Sequence, residues 1–323
     1  MTLHISEADV RQVLNMGTAL GAVEEVSRKE AAGEVIVHPR RRFDLRTGGG
    51  YFHYMAAVDF AAGYLAMKQY TFVRGKMRFL VPLYEIRSGD LLALIEADYM
   101  GQLRTGAASG VATKFLARRD SHVAAIIGAG GQAQTQLEAL AAVCKLQSAR
   151  VYGRNAERRQ HFAEAMSQRL GFPVRPAASS EEAVRGADII CTATTSSHAV
   201  LAGAHLAPGQ HINAIGANHA HKRELDDQAV AAAQVIVTDS LEQARQEAGD
   251  LIQAFQRDEA RWNRVSTLAE LVSGKAAARV NEAQITLFKS NGIASWDLAV
   301  ATKVYAAARE QGLGRELPLY TSE

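Results

Sequence analysis

The amino-acid sequence predicts an α/β fold in which a doubly wound parallel sheet is joined to a second domain of the α+β class. From residue 123 onward, short apolar runs alternate with helical segments, which is the order of a parallel sheet wound with helices. Between residues 35 and 84, short β-rich runs are separated by glycine and charged residues, which is typical of an antiparallel sheet. The length of 323 residues also favours two domains over one extended hydrophobic core.

The composition is that of an ordinary globular protein. Hydrophobic residues make up 48% and charged residues 22%, which excludes disorder and repeat arrays. A net charge of +2 argues against nucleic acid or a membrane as the main partner and favours a small molecule. No apolar run approaches the roughly 20 residues that span a bilayer, and residues 1–7 lack a signal-peptide pattern. Cys144 and Cys191 have no ligand spacing and are expected to be reduced, so we predict a cytoplasmic protein.

The first part of the chain combines helices with a sheet. Ser6 can cap a helix that continues with Val10 and Val13, and residues 19–29 form a second helical stretch. Four β-rich runs follow, at residues 35–37, 51–55, 64–67 and 79–84. The segment from Arg87 to Asp90 has the composition of a hairpin turn, so this sheet is predicted to be mostly antiparallel.

The second part begins after an Ala-rich helix predicted over residues 105–119. Residues 123–127 form a short apolar strand, a glycine loop follows, and residues 135–146 have a helical pattern. Further strands are predicted near residues 150–152, 173–174, 188–191, 211–215 and 235–237, and helices near residues 155–170, 181–185 and 295–311. This alternation predicts a parallel sheet with helices on both faces.

The glycine loop reads Gly128-Ala129-Gly130-Gly131-Gln132-Ala133. A GxGxxA pattern alone also occurs in ordinary turns. Here an apolar strand precedes the first glycine and a helix opens at the last small residue, so backbone amides and the helix N-terminus can receive a pyrophosphate. The loop therefore predicts a dinucleotide-binding site.

The end of the next strand indicates which dinucleotide binds. Sites that prefer NAD place an acidic residue there, where it accepts hydrogen bonds from ribose hydroxyls. This chain instead reads Tyr152-Gly153-Arg154-Asn155, which removes the carboxylate and supplies a guanidinium that can pair with a 2′-phosphate. We predict that NADPH is preferred and that NADH is possible; the alternative is that Arg154 is a solvated surface residue.

Four blocks follow one another along the chain: RTGAASGVA at residues 104–112, IGAGGQA at 127–133, ELD at 224–226 and TLFKS at 286–290. In these blocks the chain resembles the ornithine cyclodeaminase and mu-crystallin family, almost from end to end. The resemblance implies a Rossmann dinucleotide-binding domain at residues 113–297, with residues 1–112 plus 298–323 forming an α+β domain for substrate binding and dimerisation. It also implies a homodimer.

The resemblance further implies roles for individual residues. Lys68 and an arginine after Pro39 would hold the substrate carboxylate; Arg40, Arg41 and Arg42 are consecutive, and the spacing from the proline favours Arg41. Arg104 would lie near both the substrate and the cofactor, and Asp226 would be the acid/base residue. Thr192 and Ser290 would approach the cofactor. Plainer interpretations stay open, since Asp226 could cap a helix, Arg104 could brace one, and Lys68 could be structural.

Residues of these kinds would suit the reduction of a 2-imino acid. The imine carbon needs a hydride, the carboxylate needs cations, and the nitrogen needs a group that manages its proton. A reduced nicotinamide would supply the hydride, Arg41 and Lys68 would orient the substrate, and Asp226 would handle the proton.

The sequence departs from the cyclodeaminase pattern at His53, in the segment His53-Tyr54-Met55. Cyclodeaminases of the family place a glutamate just before the methionine that corresponds to Met55, and it recognises the distal ammonium of the substrate. Histidine is a poor partner for an ammonium and would suit a neutral or acidic side chain; a packed strand histidine is the alternative. We therefore predict the reduction of a 2-imino acid to an L-amino acid, with a substrate of the Δ1-pyrroline-2-carboxylate or iminosuccinate type. Two alternatives rank lower: cyclodeamination with bound NAD+, and non-catalytic NADPH binding of the mu-crystallin kind.

Two smaller groups of charged or metal-binding side chains stand out. Arg74, Lys76 and Arg78 could favour a second substrate carboxylate, although such runs are usually solvated. His219 and His221 flank Ala220 near the proposed active loop, but no third ligand follows in a clear spacing, so no metal site is predicted.

Overall fold

A computed structural model of the chain describes residues 1–46, 49–256 and 258–319. The strands are β1 Thr2–Ile5, β2 Val35–Leu45, β3 Gly50–Asp59, β4 Tyr64–Val73, β5 Lys76–Glu85, β6 Leu91–Glu96, β7 Val123–Ile127, β8 Ser148–Tyr152, β9 Val174–Pro176, β10 Ile189–Thr192, β11 His211–Ala214, β12 Ala233–Thr238, β13 Val265–Thr267, β14 Ile285–Lys289 and β15 Arg315–Leu317. The helices are α1 Glu7–Val13, α2 Met16–Ala31, α3 Asp98–Leu116, α4 Gly131–Val143, α5 Ala156–Leu170, α6 Ser180–Val184, α7 Asp227–Ala232, α8 Leu241–Glu247, α9 Gly249–Phe255, α10 Glu259–Trp262, α11 Leu268–Val272 and α12 Ala294–Glu310, with a 3-10 turn at Gly203–His205.

The chain divides into two compact units. One contains Met1–Arg104 and Gly292–Glu323, and the other contains Thr105–Asn291. The first division falls inside α3, and the second follows β14. The domain boundaries predicted from the sequence, 1–112 plus 298–323 and 113–297, stay a prediction.

The first unit is built on a seven-stranded sheet in the order β15-β1-β6-β5-β4-β3-β2. Strands β2 to β6 are paired antiparallel in sequence order, as predicted, whereas β1 is parallel to β6. The predicted turn lies between β5 and β6, where Glu85 N donates to Asp90 O at 3.0 Å.

One face of this sheet is covered by the C-terminal helix. Helix α12 packs on β2, β3, β4 and β5, and α2 packs on α12. The covered face carries the alternate residues of each strand, for example Met55 and Ala57 on β3, and Trp296 of α12 is fully buried. Because successive strand residues point to opposite faces, this alternation decides which polar side chains are buried with the helix.

The second unit is built on an eight-stranded sheet in the order β13-β12-β14-β11-β10-β7-β8-β9, and every pair is parallel. The chain starts at β7 in the middle, winds outward to β9, and then returns to β10 on the other side of β7. This order makes a crevice at the carboxyl ends of β7 and β10, where doubly wound sheets bind ligands. The predicted Rossmann architecture is confirmed.

Apolar clusters cover both faces of this parallel sheet. Ala125 and Ile127 of β7 belong to one buried cluster, and Ala124 and Ile126 belong to the other. A strand buried on both faces explains why residues 123–127 read as a continuous apolar run. No helix among the described residues is long and apolar enough to cross a membrane.

Candidate functional site

The glycine loop after β7 has the geometry of a phosphate-binding turn. Gly128 has a φ of +121°, and a Cβ at this position would lie 2.3 Å from the carbonyl oxygen of Ala193, so only glycine fits. Its N–H donates to Tyr152 O at 2.7 Å, which ties the loop to the end of β8. A Cβ on Gly130, in contrast, would meet nothing within 4 Å. The loop is therefore packed at its start and open at the position that would face a ligand.

Helix α4 begins directly at this loop. Its N-cap is Gly130, which provides no side-chain acceptor for the amides of the first turn. An anion can satisfy such amides and is also favoured by the helix dipole. Of the other predicted loop residues, Gly131 is exposed, Gln132 is half-buried, and Ala133 packs in the core beneath the sheet. The fit to a pyrophosphate thus rests on the backbone.

A cleft of about 630 Å³ opens beside this loop, within the second unit. Its lining comes from the glycine loop, the end of β8 and the segment after β10: Ile127, Gly128, Ala129, Gly130, Tyr152, Gly153, Arg154, Asn155, Arg158, Ala193, Thr194, Thr195, Ser196 and Val200. The volume lies in the usual range for small-molecule sites. The predicted phosphate loop and the predicted specificity segment therefore share one cleft.

The end of β8 presents cations and lacks an acid. Arg154 and Arg158 are both exposed and line the cleft. A Cβ on Gly153 would lie 3.3 Å from Ala129 Cβ, so a side chain in place of Gly153 would be tightly packed. Asn155, predicted to bind the cofactor, caps α5 by accepting a hydrogen bond from Arg158 N at 2.8 Å. Asn155 thereby sets the direction of the helix turn that carries Arg158.

Thr192 and Ser290 were also predicted to approach the cofactor, but both are buried and hydrogen-bonded within the protein. The Thr192 hydroxyl donates to Glu224 Oε2 at 2.8 Å, and the Ser290 hydroxyl donates to Asp239 Oδ2 at 3.1 Å. Neither residue lines the cleft of about 630 Å³. In this structure the residues after Thr192, from Ala193 to Ser196, form the cleft wall.

Asp226 is the N-cap of α7. Its Oδ1 accepts hydrogen bonds from Gly203 N at 2.9 Å and from Ala229 N at 2.7 Å. Its other oxygen, Oδ2, accepts no hydrogen bond from the described residues, and the side chain is half-buried. The capping interpretation is therefore confirmed.

A buried ion cluster lies on the covered face of the sheet in the first unit. Lys68 of β4 donates to Asp297 Oδ1 of α12 at 3.1 Å, and Arg104 Nε of α3 donates to the same oxygen at 3.0 Å. The exposed fractions of the three side chains are 4%, 1% and 6%. A Cβ on Gly292, whose φ is +80°, would lie 2.6 Å from Arg104 Nη1, so the glycine makes room for the guanidinium.

The arginine that joins this cluster is Arg40, whereas the favoured Arg41 is exposed on the other face of β2. The register of β2 against β3 shifts between His38 and Arg41, so β2 carries one extra residue there. Such a β-bulge reverses the inward and outward positions of the residues that follow. Arg40 Nη2 donates to Gly292 O at 3.4 Å, and its charge acts on Lys68.

The cluster carries more positive than negative charge. Two cations, Lys68 and Arg104, share Asp297, the one carboxylate bonded to either of them among the described residues, and the positive charge of Arg40 also acts on Lys68. Burial and the positive charge of Arg104 lower the pKa of Lys68 to about 8, against the opposing effect of Asp297. Arg104 Nη1 is buried without a hydrogen-bond partner in the part of the chain described. An anion is the chemical partner that such an arrangement lacks.

His53 lies on the same face of the sheet, among aromatic rings. It is paired across β3 and β4 with Tyr70, and its Nδ1 lies 2.5 Å from the Tyr70 hydroxyl oxygen. Tyr51 stacks on the His53 ring at 4.5 Å, and Tyr70 contacts Phe79 at 4.9 Å. The Phe79 ring centroid is 5.1 Å from Lys68 Nζ. The rings therefore form a continuous row from Tyr51 to the ion cluster.

The remaining predicted groups do not join these clusters. Arg74, Lys76 and Arg78 are exposed around the turn between β4 and β5. The rings of His219 and His221 contact each other at 5.5 Å, edge to face. Within residues 1–46, 49–256 and 258–319, no group of three His, Cys, Asp or Glu side chains is arranged to hold a metal ion.

Comparison with known proteins identifies the family. The model of the ornithine cyclodeaminase/mu-crystallin family matches residues 2–312. The chain belongs to this family. It is also 38% identical over 239 residues to a Δ1-pyrroline-2-carboxylate reductase of Bacillus cereus, and this match covers 74% of the chain and 73% of the relative.

Solved structures of family members are similar over nearly the whole chain. The Δ1-pyrroline-2-carboxylate reductase of Thermococcus litoralis, solved with NADH and L-proline, has a TM-score of 0.94 and 34% identity over 98% of this chain and all 100% of its own. An archaeal alanine dehydrogenase dimer with bound NAD has a TM-score of 0.92 and 32% identity over 99% of both chains. The iminosuccinate reductase of Paracoccus denitrificans with NAD+ has a TM-score of 0.92 and 26% identity over 98% of this chain and 99% of its own.

These similarities confirm the prediction of an enzyme, a nicotinamide-dependent oxidoreductase of this family. The relatives are reductases and a dehydrogenase, and the three structures hold NADH, NAD or NAD+. The backbone cradle at Gly128 and Gly130 and the uncapped start of α4 fit such a dinucleotide. When bound, it would supply or accept a hydride.

Sequence reasoning missed three residues of these clusters, Asp297, Tyr70 and Arg158, and it favoured Arg41 over Arg40. Asp297 had a detectable signal, because an acidic residue in an otherwise apolar helix face is rarely buried without a partner. Tyr70 lies two residues after Lys68 in the same strand, so the period of two places both on one face. Arg158 lies three residues after the cap Asn155, on the first turn of α5.

Proposed function

We propose that this enzyme reduces a 2-imino acid to an L-amino acid with NAD(P)H, and that its preferred substrate is a cyclic ketimine of the Δ1-pyrroline-2-carboxylate type. The observation that carries the proposal is the buried pairing of two cations, Lys68 and Arg104, with a single oxygen of Asp297, which leaves these three residues with an excess of positive charge. A substrate carboxylate would neutralise this excess. The similarity to Δ1-pyrroline-2-carboxylate reductases from two organisms supports the same substrate class.

The substrate carboxylate is assigned to Arg40 and Lys68, with Arg104 beside them. Arg40 takes the role first given to Arg41, since only Arg40 is buried with Lys68. Arg104 Nη1 offers a buried N–H without a protein partner among the described residues. Charged hydrogen bonds from planar guanidinium groups hold carboxylates in a fixed orientation, so these residues would orient the imine carbon for hydride transfer.

The surroundings of His53 favour a reductase over a cyclodeaminase. A distal ammonium would need an anionic partner, but this position holds an imidazole paired with the Tyr70 hydroxyl. The rings of Tyr51, His53, Tyr70 and Phe79 offer flat apolar surface beside Lys68, which suits the carbon ring of a cyclic ketimine. We therefore keep cyclodeamination and non-catalytic NADPH binding as lower-ranked alternatives.

Iminosuccinate is the second candidate substrate, favoured by the similarity to an iminosuccinate reductase. It would bring a second carboxylate. The cations first considered for that carboxylate, Arg74, Lys76 and Arg78, are exposed around a hairpin turn and not buried with Lys68. This difference ranks the cyclic ketimine first.

Asp226 is assigned the proton of the substrate nitrogen. Two backbone amides hold its Oδ1, which fixes the direction of the carboxylate, while Oδ2 has no partner among the described residues. A positioned carboxylate of this kind can transfer a proton or stabilise an iminium. The same hydrogen bonds that cap α7 would thus orient the acid/base group.

For the cofactor we propose a preference for NADPH over NADH. Arg154 and Arg158 both line the cleft at the end of β8, and the position of the usual acid is Gly153. Two guanidinium groups would attract a 2′-phosphate, and no carboxylate would repel it. The solved relatives hold NADH, NAD or NAD+, so NADH stays possible.

We also propose a homodimer formed through the uncovered face of the first unit's sheet. On this face Phe43 is 59% exposed, and its ring stacks with Phe52 at 6.4 Å and with Tyr54 at 6.1 Å. Exposed aromatic surface of this kind is typical of interfaces, and the archaeal relative is a dimer. Size-exclusion chromatography with light scattering tests the dimer, and a Phe43→Asp variant should be monomeric.

A cytoplasmic location of the enzyme stays a prediction.

The experiment that tests the function follows nicotinamide absorbance with a panel of substrates. Δ1-pyrroline-2-carboxylate, Δ1-piperideine-2-carboxylate, iminosuccinate, and 2-keto acids with ammonia or methylamine would each be offered with NADPH and with NADH. Ornithine with NAD+ and ammonia detection serves as the cyclodeaminase assay. Consumption of cofactor with a cyclic ketimine supports the proposal. Ammonia release from ornithine, without consumption of cofactor by any imine, would contradict it.

A further inference from the structure

We propose that Glu224 is a positioning residue of the cofactor site, whose buried carboxylate fixes the loop that forms one wall of the cleft. The proposal rests on nicotinamide binding in this cleft and not on the identity of the imino acid. Every residue concerned belongs to the second unit.

The carboxylate of Glu224 joins the ends of two neighbouring strands. After β10 it accepts hydrogen bonds from the Thr192 hydroxyl at 2.8 Å and from Thr194 N at 2.6 Å. After β11 it accepts one from Gly216 N at 2.7 Å. Both loops follow the carboxyl ends of parallel strands, where this type of sheet binds its ligands. One side chain therefore accepts a hydrogen bond from the second amide of each of two ligand-facing loops.

The backbone of Glu224 extends the same connection. Its carbonyl accepts hydrogen bonds from Val200 N at 2.7 Å and Leu201 N at 2.9 Å. The loop after β10 is thus held near its start by the side chain and at its end by the main chain. Between these two anchors lie Thr195 and Ser196, which line the cleft.

Packing around the carboxylate leaves little freedom for adjustment. Glu224 is completely buried, and a Cβ on Gly216 would lie 2.5 Å from its Oε1 and 2.2 Å from Thr194 O. Burial raises the pKa of Glu224, against the opposing effects of Lys289 and of the hydrogen bonds from Thr194 and Thr192. Lys289 in turn lies 3.0 Å from Asp250 Oδ2, and Asp250 Oδ1 accepts from Glu224 N at 2.6 Å.

The connection also reaches the proposed acid/base residue. Asp226 lies two residues after Glu224, and its N–H donates to Leu201 O at 3.2 Å. The segment that carries Asp226 is therefore hydrogen-bonded to the end of the loop that lines the cleft. A change at Glu224 is expected to loosen the cleft wall first and the orientation of Asp226 second.

The test uses the full-length Glu224→Gln variant and measures Kd for NADPH and for NADH by fluorescence titration. Glutamine keeps the volume but replaces one acceptor oxygen by a donor that faces other donors. We expect Kd for both cofactors to rise about ten-fold, as for a lost hydrogen bond to a charged group. At saturating cofactor, the KM for the imino acid should stay within about two-fold of the wild-type value.

Asp188→Asn is the matched control. Asp188 Oδ2 also accepts hydrogen bonds from two backbone amides, His122 N and Val123 N, but at the amino end of β10. This variant should lower the melting temperature and leave both Kd values unchanged. If Glu224→Gln behaves in the same way, with a lower melting temperature and unchanged Kd, the positioning role is refuted.

Two further measurements concern the wild-type enzyme: hydrogen exchange and cofactor binding. If Glu224→Gln does not fold, hydrogen exchange at single-residue resolution on the wild-type enzyme decides the matter: protected amides at Thr194 and Gly216 support the proposal, and exchange at the rate of open loops overturns it. If the wild-type enzyme binds neither NADPH nor NADH, the proposed function itself fails, and this outcome is distinct from a failure at Glu224 alone.

Discussion

Lys68 and Asp297 are 229 residues apart in the chain and form a buried ion pair, with Nζ 3.1 Å from Oδ1. The same oxygen accepts a hydrogen bond from Arg104. Asp297 therefore offsets the repulsion between two cations that would otherwise be buried side by side. This explains how the fold can keep two neighbouring positive charges in its interior.

Replacing Asp297 by asparagine should destabilise the protein. The change leaves Lys68 and Arg104 buried without the carboxylate that they share, and breaking a buried ion pair in this way typically costs about 3 kcal/mol or more of the free energy of unfolding. Urea denaturation measures the change. Asp227→Asn is the control, because Asp227 is 62% exposed, and its effect should stay within about 0.5 kcal/mol. Equal stability of the two variants would contradict the role of Asp297.

Arg40→Gln and Arg41→Gln should differ in substrate binding. We expect Arg40→Gln to lower kcat/KM about 30-fold through a higher KM, since a charged hydrogen bond to the substrate carboxylate is lost. Arg41→Gln should stay within about two-fold of the wild-type value, because Arg41 is exposed on the opposite face of β2. Steady-state kinetics with a cyclic ketimine measures both. The opposite order would restore Arg41 as the carboxylate ligand.

The KM for the imino acid should rise above about pH 8. The pKa of Lys68 is lowered to about 8, chiefly by burial, so the cation is present below this pH and is lost above it. The ordinary pKa of lysine is 10.5. Between about pH 8 and pH 10.5 the unfolded chain therefore binds a proton at Lys68 that the folded chain has lost, so this group makes the free energy of unfolding rise with pH over that range. A pH profile of KM measures the effect. In Lys68→Arg, which stays charged, the rise should disappear; an unchanged profile would assign it to another group.

Asp226→Asn should separate helix capping from catalysis. Asparagine is a good N-cap and can keep the hydrogen bonds from Gly203 N and Ala229 N, so the melting temperature and cofactor binding should stay near normal. The acid/base function is lost, and kcat should fall at least about 100-fold. Single-turnover kinetics with bound cofactor measures the chemical step. Retained turnover would remove Asp226 from the mechanism.

Arg154→Gln should weaken NADPH binding selectively. Loss of a guanidinium beside a 2′-phosphate should raise Kd for NADPH about ten-fold and leave Kd for NADH within about two-fold. The double variant with Arg158→Gln should show a larger effect in the same direction. Arg185→Gln is the control, since Arg185 is 76% exposed and pairs with Glu181. An equal rise of Kd for NADPH and for NADH would show that Arg154 does not bind the 2′-phosphate.

Local patterns in the sequence predicted many of the strands and helices of the fold. The apolar run at residues 123–127 followed by the glycine loop predicted β7, the turn and α4, because a strand buried on both faces and a glycine-rich phosphate loop each leave a short-range signature. Arg154 was likewise found at the end of β8 from its distance to the loop. These features depend on neighbours within about 30 residues, the length of one βαβ unit.

The choice between Arg40 and Arg41 as the proposed substrate arginine could not be made in the same way. One extra residue in β2, between His38 and Arg41, determines that Arg40 and not Arg41 is buried. The bulge depends on pairing with β3, and a shift of one position moves a side chain to the other face. For Thr192 and Ser290, the structure shows hydroxyls bonded to Glu224 and Asp239, and their contact with the cofactor stays a prediction.

The sequence by itself determined the phosphate loop and the missing acid at Gly153 from local patterns, and the family resemblance supplied the candidate residues Lys68, Arg104 and Asp226. Only the tertiary structure decided that Asp297 pairs with both Lys68 and Arg104, and that Glu224 joins two loops. The physical reason is that the free energy of a buried charge depends on partners brought together by folding, as Lys68 and Asp297 are across 229 residues of chain.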